Sequence, residues 1–126
     1  MKNNTLGKKE RLKSRKLIGK LFEEGESIKK FPFRLVYLTT DQVSTPSVQA
    51  TFSVPKRNFK KAVDRNRIKR LIREAYRLEK KKVFENSNLP YVFMITFIGK
   101  KEPIFSEVQQ RVQELLRLFI EIQIKK

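Results

Sequence analysis

The sequence contains no cysteine and no histidine among its 126 residues. Disulfide bridges, thiolate or imidazole metal sites, and nucleophilic catalysis that depends on either side chain are therefore excluded. Acidic residues are also scarce, with 13 Asp and Glu against 30 Lys and Arg. The carboxylates show no clustered motif for a catalytic metal, which argues against hydrolysis by the protein's own side chains.

Long hydrophobic runs are missing as well. The most apolar stretch, 91–98, is far too short to cross a bilayer, and the basic N-terminus lacks the apolar core of a signal peptide. We therefore expect a cytoplasmic protein with no role at a membrane, which the lack of cysteine also fits. The length and the 39% hydrophobic content predict a single domain over 1–126 with one compact core.

Positive charge is the dominant feature of what is present. The formal net charge is +17, and charged residues make up 34% of the chain where about 25% is usual. The excess lies in two segments, 1–20 and 56–82, and the rest of the chain is balanced. Such a localised excess is typical of a surface that binds a polyanion, and a merely solvated surface is the less favoured explanation.

The spacing of apolar residues predicts the order helix, two or three strands, helix, strand, helix, which is a two-layer α+β domain. Residues 1–13 have basic side chains and little periodicity, which predicts a flexible basic arm. The predicted elements are a helix at 15–24, strands at 31–38 and 48–54, a helix at 62–84, a strand at 91–98 and a helix from about 106.

Local signals refine some of these boundaries. Ser14 is a suitable N-cap for the first helix, and Gly25 suits a C-terminal position with positive φ. Ser106 and Gln109 form a capping-box pattern at the start of the last helix. The strand at 48–54 has an apolar and a polar face, and the polar face either meets water or floors a binding groove.

The helix predicted at 62–84 has two opposed faces. An apolar stripe with helical spacing predicts packing on the core. That stripe consists of Ile68, Leu71, Ile72, Ala75 and Tyr76. On the other side, Asn66, Arg70, Arg73 and Arg77 fall within about 60° of one another. Arginine binds phosphate bidentately and stacks on bases, while Asn66 can contact a base, a ribose or a metal-bound water, so this face predicts nucleic-acid binding.

The segment 54–77, VPKRNFKKAVDRNRIKRLIREAYR, resembles the RNR signature of the bacterial ribonuclease P protein family, with the triplet at 65–67. RLKSRKLIGKLFEEGESI at 11–28 resembles the family's first helix, its glycine and the turn that follows. FPFRLVYL, ATFSVPKR, YVFMITF and the last amphipathic helix then match the family's remaining elements in order. Two departures are Ile18, where the family usually has an aromatic residue, and the acidic Asp64 within the motif.

This resemblance implies a fold and a function. The fold is α+β, with three helices and about four strands in a mainly antiparallel sheet, in the order αβββαβα with a left-handed βαβ crossover. The function is that of the protein subunit of ribonuclease P, in which the RNA subunit uses bound Mg²⁺ to cut the 5′ leader from precursor tRNA. The implied partners are the catalytic RNA and precursor tRNA, with no protein partner required.

The resemblance also implies site residues, none of them catalytic. A groove between the first helix and the sheet would bind the single-stranded leader through Phe22, Phe33, Val36 and Ser53. A core position is the competing interpretation for Phe22, and no residue is implied as a direct metal ligand, although Asn66 would support a metal indirectly. The residues implied in RNA binding are Lys56, Arg57, Lys60, Lys61, Arg65, Asn66, Arg67, Lys69, Arg70, Arg73 and Arg77.

A ribosomal protein or another structural RNA-binding protein is the alternative function. Composition alone favours that class, because it is the more numerous one. The block at 54–77, in its surrounding sequence, favours ribonuclease P instead.

Overall fold

The computed structural model of the chain describes residues 15–39, 49–83 and 91–125. The described part has the predicted order αβββαβα, and the predicted α+β fold is confirmed. Its elements are α1 (Arg15–Glu24), β1 (Glu26–Lys30), β2 (Phe33–Thr39), β3 (Gln49–Ser53), α2 (Ala62–Val83), β4 (Tyr91–Phe97) and α3 (Phe105–Lys125). The predicted basic arm at 1–13 and the predicted N-cap Ser14 lie outside the described residues.

The four strands form one mixed sheet with the order β1-β2-β4-β3. β2 pairs antiparallel with β1 and with β4, whereas β3 pairs parallel with β4. β4 therefore lies inside the sheet, and its residues are buried on both faces, as the apolar run at 91–98 predicts. α2 connects the parallel strands β3 and β4 and forms the βαβ unit for which the resemblance implies a left-handed crossover.

Helices cover the two faces of the sheet unequally. α2 and α3 pack on each other and on one face, where they enclose the larger core, and α1 packs on β2 and β4 from the other face. β2 alternates between these cores: Phe33, Leu35 and Tyr37 face α2 and α3, while Val36 and Leu38 face α1. The sheet therefore has an open area on the α1 side, beyond the short helix.

An aromatic cluster joins α3 to the sheet. The ring of Phe119 lies 4.9 Å from Tyr37, 5.0 Å from Tyr91 and 4.9 Å from Phe93, each in edge-to-face geometry. Each such pair contributes about 0.5–1.5 kcal/mol beyond the burial of its apolar area. This cluster fixes α3, and through it α2, on the sheet.

β1 is not predicted by its own residues. Its sequence, ESIKK, contains Ile28 as the single apolar residue, so no alternation is visible. The strand forms because it pairs with β2 over its whole length, from Glu26 opposite Tyr37 to Lys30 opposite Phe33. β2 correspondingly begins two residues later than the strand predicted at 31–38, since residues 31–32 form the turn between the two strands.

The predicted positive φ at Gly25 is wrong, because no glycine in the described residues has one. Gly25 does end α1, through an N–H that donates to the carbonyl oxygen of Leu21 at 3.0 Å. A glycine is needed there for space: a Cβ would lie 2.5 Å from that oxygen and 2.7 Å from Cγ1 of Val36. The close approach of α1 to β2 therefore excludes a side chain at this position.

The predicted capping box of α3 is also corrected. The helix begins at Phe105, and the N–H of Val108 donates to the carbonyl oxygen of Ile104 at 3.1 Å. The Gln109 amide donates to Oε2 of the buried Glu79 at 3.0 Å instead of folding back on the first turn. It therefore links α3 to α2, and the start predicted near 106 is correct to within one residue.

Candidate nucleic-acid interface

The predicted apolar stripe of α2 is confirmed. Ile68, Ile72, Ala75 and Tyr76 are fully buried, and Leu71 packs partly buried against the same core. Because this stripe faces the sheet and α3, the opposite side of the helix is turned to solvent.

The solvent side of α2 holds several of the predicted RNA-binding residues. Asn66, Arg70 and Arg73 are exposed, and Lys69 is half-buried beside them. The arrangement presents cationic and amide groups in successive helical turns. It is able to follow a phosphate backbone, for which Arg and Lys supply the neutralising charge.

Arg65 has a different environment from its neighbours. Its Nη1 donates to the carbonyl oxygens of Phe59 and Lys60, both at 2.8 Å. The backbone N–H groups of Asp64 and Arg65 also donate to the Lys61 carbonyl oxygen, at 3.1 and 3.2 Å. The guanidinium of Arg65 therefore holds the segment before α2 against the first turn of the helix.

That segment is the basic loop, residues 54–61, between β3 and α2. Asn58 donates from its side chain to the carbonyl oxygen of Gly99 at 3.4 Å, and the Phe59 ring packs 6.1 Å from that of Phe97. These contacts anchor the loop to the end of β4. The four predicted RNA-binding residues of the loop are exposed, namely Lys56, Arg57, Lys60 and Lys61.

Arg67 forms ion pairs with two acidic residues. It contacts Asp64 one turn earlier in α2, at 3.4 Å, and Glu102 in the connection between β4 and α3. The acidic residue noted in the motif thus serves as a partner within the protein. Exposed pairs of this kind contribute about 0–1 kcal/mol, so Arg67 remains able to exchange its partners for a phosphate.

Arg73 lies over an aromatic ring of the edge strand. Its Cζ is 5.9 Å from the centroid of Phe52, which in turn packs edge-to-face on Tyr76 with centroids 5.6 Å apart. This cation–π contact brings the exposed guanidinium to the rim of β3. The cationic side of α2 is therefore continuous with one face of that strand.

Arg77 departs from the predicted cationic face. Only 16% of its side chain is exposed, and its guanidinium forms an ion pair with Glu74 in the preceding turn. The hydrogen bond from Arg77 lowers the pKa of the Glu74 carboxyl, and the same bond raises the pKa of Arg77. Arg77 is thus largely withdrawn from the surface that Arg70 and Arg73 present.

The predicted groove residues divide between the two faces of the sheet. Val36 faces α1 and is half-buried against its apolar side, while Ser53 is half-buried on the same face. Phe33 is fully buried in the core under α2 and α3, with its ring 5.5 Å from Phe97. The prediction that Phe33 lines the groove is wrong, because Phe33 and Val36 project to opposite faces.

Phe22 is exposed to 72% at the surface of α1. The interpretation of Phe22 as a core residue is therefore wrong, since the buried residues of α1 are Leu17 and Leu21, with Ile18 packed partly buried beside them. The polar side of β3, with Gln49, Thr51 and Ser53, faces the same side of the sheet as α1. The exposed ring of Phe22 and the half-buried polar side of β3 therefore both lie on the α1 side of the sheet.

Several residues that shape these surfaces are not predicted by the sequence. Phe52 supports Arg73, and Asn58 and Phe59 anchor the basic loop. The only signal for Phe59 is an apolar residue within a basic run. Asn58 gives no signal, since its partner Gly99 is distant in sequence.

The described residues contain neither a cluster of candidate metal ligands nor a candidate membrane-spanning helix. No group of three or more acidic side chains in that part of the chain is placed to hold a metal ion. None of its helices is both long and apolar enough to cross a membrane.

The family model for ribonuclease P matches residues 6–120 of the chain. The chain belongs to the ribonuclease P protein family. It is 39% identical to the ribonuclease P protein component of Chlorobium phaeobacteroides, over 90% of this chain and 86% of that protein. It is 34% identical to the ribonuclease P protein component of Porphyromonas gingivalis, over 88% of this chain and 83% of that protein.

Solved structures of ribonuclease P proteins share the fold. The Staphylococcus aureus protein superposes with a TM-score of 0.70 at 21% identity, over 86% of this chain and 94% of that one. The Thermotoga maritima protein gives a TM-score of 0.69 at 23% identity, over 86% and 96%. At these identities the likeness concerns the fold alone, and it agrees with the family assignment from sequence.

Proposed function

We propose that this chain binds the catalytic RNA of ribonuclease P and the 5′ leader of precursor tRNA in the cytoplasm, and so supports removal of the leader. The observation that carries the proposal is the exposed side of α2, with Asn66, Arg70 and Arg73, next to the basic loop in a ribonuclease P family member. A surface of this charge binds phosphate and gains entropy from released counterions.

The chemistry of cleavage is assigned to the RNA partner with its bound Mg²⁺. The protein's own contribution is electrostatic: cations on α2 and the basic loop lower the repulsion between the two RNA molecules, so that their association needs less Mg²⁺. Asn66 is exposed beside Arg70 and supplies both a donor and an acceptor, so it is suited to a ribose or to a metal-bound water.

The leader is assigned to the α1 side of the sheet. There the exposed ring of Phe22 offers a stacking surface, and the half-buried Val36 and Ser53 offer an apolar and a polar contact. Bases of a single strand stack on aromatic rings regardless of sequence, which suits a substrate set with many different leaders. Mature tRNA has no leader and would not use this face.

Reconstitution tests the proposal. Purified protein, a bacterial ribonuclease P RNA and labelled precursor tRNA are combined at a Mg²⁺ concentration too low for the RNA alone. We expect cleavage at the mature 5′ end only when protein and RNA are both present. Metal-dependent cleavage by RNA-free protein, or no gain on adding protein to the RNA, would contradict the proposal.

A further inference from the structure

A row of polar and cationic side chains crosses the sheet from β3 to β1. Ser53 in β3 is aligned with Thr96 in β4, Thr96 with Arg34 in β2, and Arg34 with Lys29 in β1. Residues aligned on neighbouring strands project to the same face of a sheet. These four side chains, the cross-sheet row, therefore share one face, and at a strand spacing of about 4.8 Å they span roughly 14 Å.

The face is the one on which α1 packs. Arg34 lies between Phe33 and Leu35, which both point into the core under α2 and α3, so Arg34 points the other way. Lys29 follows Ile28, which is buried in that same core. The cross-sheet row is thus on the side of the sheet that holds the proposed leader groove.

The cross-sheet row lies next to the part of the sheet that α1 covers. Val36 and Met94 are two residues further along their strands, and they belong to the apolar cluster that α1 forms on this face. Two residues of a strand span about 7 Å. The row is therefore the first line of residues beyond the helix, at the open end of the groove.

The side chains of the row are accessible and suited to phosphate. Arg34 and Lys29 are exposed, while Ser53 and Thr96 are half-buried. Within the described residues, no carboxylate pairs with Arg34 or Lys29. Arginine binds a phosphate bidentately, lysine acts as a point charge, and the two hydroxyls are donors to phosphate or ribose oxygens.

We propose that the cross-sheet row is a phosphate-binding track for single-stranded RNA, which continues the leader groove from β3 across the sheet to β1. The inference rests on the proposed function, because it extends the same groove. In this proposal Arg34 and Lys29 bind the leader nucleotides that lie farthest from Ser53. Leaders long enough to reach β1 gain interactions that short leaders do not make.

The test uses the full protein with the RNA subunit and compares precursor tRNAs that have a long leader, a short leader or none. Arg34→Ala and Lys29→Ala should each weaken binding of the long-leader precursor by up to about fivefold, because an exposed ion pair is weak. The salt dependence of that binding should become shallower by about 0.7 for each phosphate that is no longer neutralised. Binding of the short-leader precursor and of mature tRNA should not change.

Lys30→Ala is the matched control. Lys30 is the next residue of β1 and is also exposed, but it is aligned with Phe33 and so lies on the opposite side of the strand. It should leave all three affinities unchanged. Arg34→Gln, which keeps hydrogen-bonding groups without charge, guards against a misfolded Arg34→Ala, and thermal melts of both variants check the fold.

Equal losses for all three substrates, or a loss with Lys30→Ala as large as with Lys29→Ala, would overturn the phosphate track. Failure of the proposed function has a different signature, since the wild-type holoenzyme would then bind precursor and mature tRNA equally well. If the wild-type holoenzyme binds precursors better than mature tRNA, and if Arg34→Ala and Lys29→Ala both keep this preference, the leader groove is supported and the phosphate track is refuted.

Discussion

Five arginines between residues 65 and 77 have five different environments. Arg65 donates to backbone carbonyls, Arg67 pairs with acidic residues, and Arg70 is exposed. Arg73 lies on an aromatic ring, and Arg77 is mostly buried in a pair with the preceding turn. Helical spacing alone groups three of them, Arg70, Arg73 and Arg77, without distinction, because it does not show contacts with other segments such as the Phe52 ring under Arg73.

Arg65 should act on RNA binding through the basic loop. Arg65→Ala removes both hydrogen bonds to the loop, and Arg65→Lys keeps the charge but has a shorter side chain, whose nitrogen does not reach the position from which Nη1 donates to both carbonyls. We expect both variants to weaken binding of the RNA subunit and to speed amide hydrogen exchange in residues 56–61. Arg70→Ala is the control, with weaker binding and unchanged exchange. Wild-type affinity in Arg65→Lys would show that only the charge of Arg65 matters.

Phe22→Leu should separate leader recognition from general RNA affinity. Because 72% of Phe22 is exposed, the substitution should leave the melting temperature unchanged. Loss of a stacked base is worth about 1–3 kcal/mol, so affinity for precursor tRNA should fall about five- to 150-fold, while affinity for mature tRNA stays the same. Binding measurements on both substrates decide the matter. Equal loss for the two would place Phe22 outside the leader site.

Among the elements, those with strong internal periodicity are predicted closely. The start of α2 at Ala62 agrees with the predicted helix, because its apolar stripe repeats over several turns. β1 escapes prediction, since a strand with one apolar residue is stabilised by its partner rather than by its own pattern. Local spacing does not show the parallel pairing of β3 with β4 either, and only the family resemblance, through its βαβ crossover, implies it.

The junction of α1 with β2 can be tested with two glycines. Gly25→Ala would place a Cβ 2.5 Å from the Leu21 carbonyl oxygen and 2.7 Å from Val36, so α1 has to shift. We expect a loss of about 1–3 kcal/mol in the free energy of unfolding. Gly19→Ala, inside α1 with nothing beyond its chain neighbours and the helix's own backbone within 4 Å of its added Cβ, should instead gain about 0.5–1 kcal/mol. Urea unfolding of both variants is the measurement, and equal effects would contradict this account of the junction.

At the scale of the molecule, charge and fold supply different information. The net charge of +17 and its two segments predict a polyanionic partner, but they do not say which side chains are accessible. The packed structure shows which side chains are accessible: Phe33 is buried outside the groove, Phe22 is exposed and Arg77 is mostly buried. The class of function and the main helix are therefore predictable from sequence, while the assignment of single residues to surfaces needs the packed structure.

The cationic side of α2 should determine how salt affects assembly with the RNA subunit. Arg70→Ala and Arg73→Ala should each remove one phosphate interaction and make the log-log salt slope shallower by about 0.7–0.9, and the double variant should sum the two. Both variants should also need more Mg²⁺ for cleavage. Titrations of binding against salt, with thermal melts as a folding control, test this. An unchanged slope together with an unchanged Mg²⁺ requirement would make this face ordinary solvated surface.

Because its side chains alternate, the short edge strand β3 presents different residues to the two faces of the sheet. Phe52 supports Arg73 on one face, and Ser53, the next residue, opens onto the α1 side. Inserting or deleting one residue in this strand would exchange the two faces, so that the ring would enter the groove and the hydroxyl would lie under the arginine. The alignment of β3 with β4 thus keeps the proposed RNA-subunit surface and the proposed leader surface on opposite faces of the sheet, although neither strand carries a residue of the arginine motif.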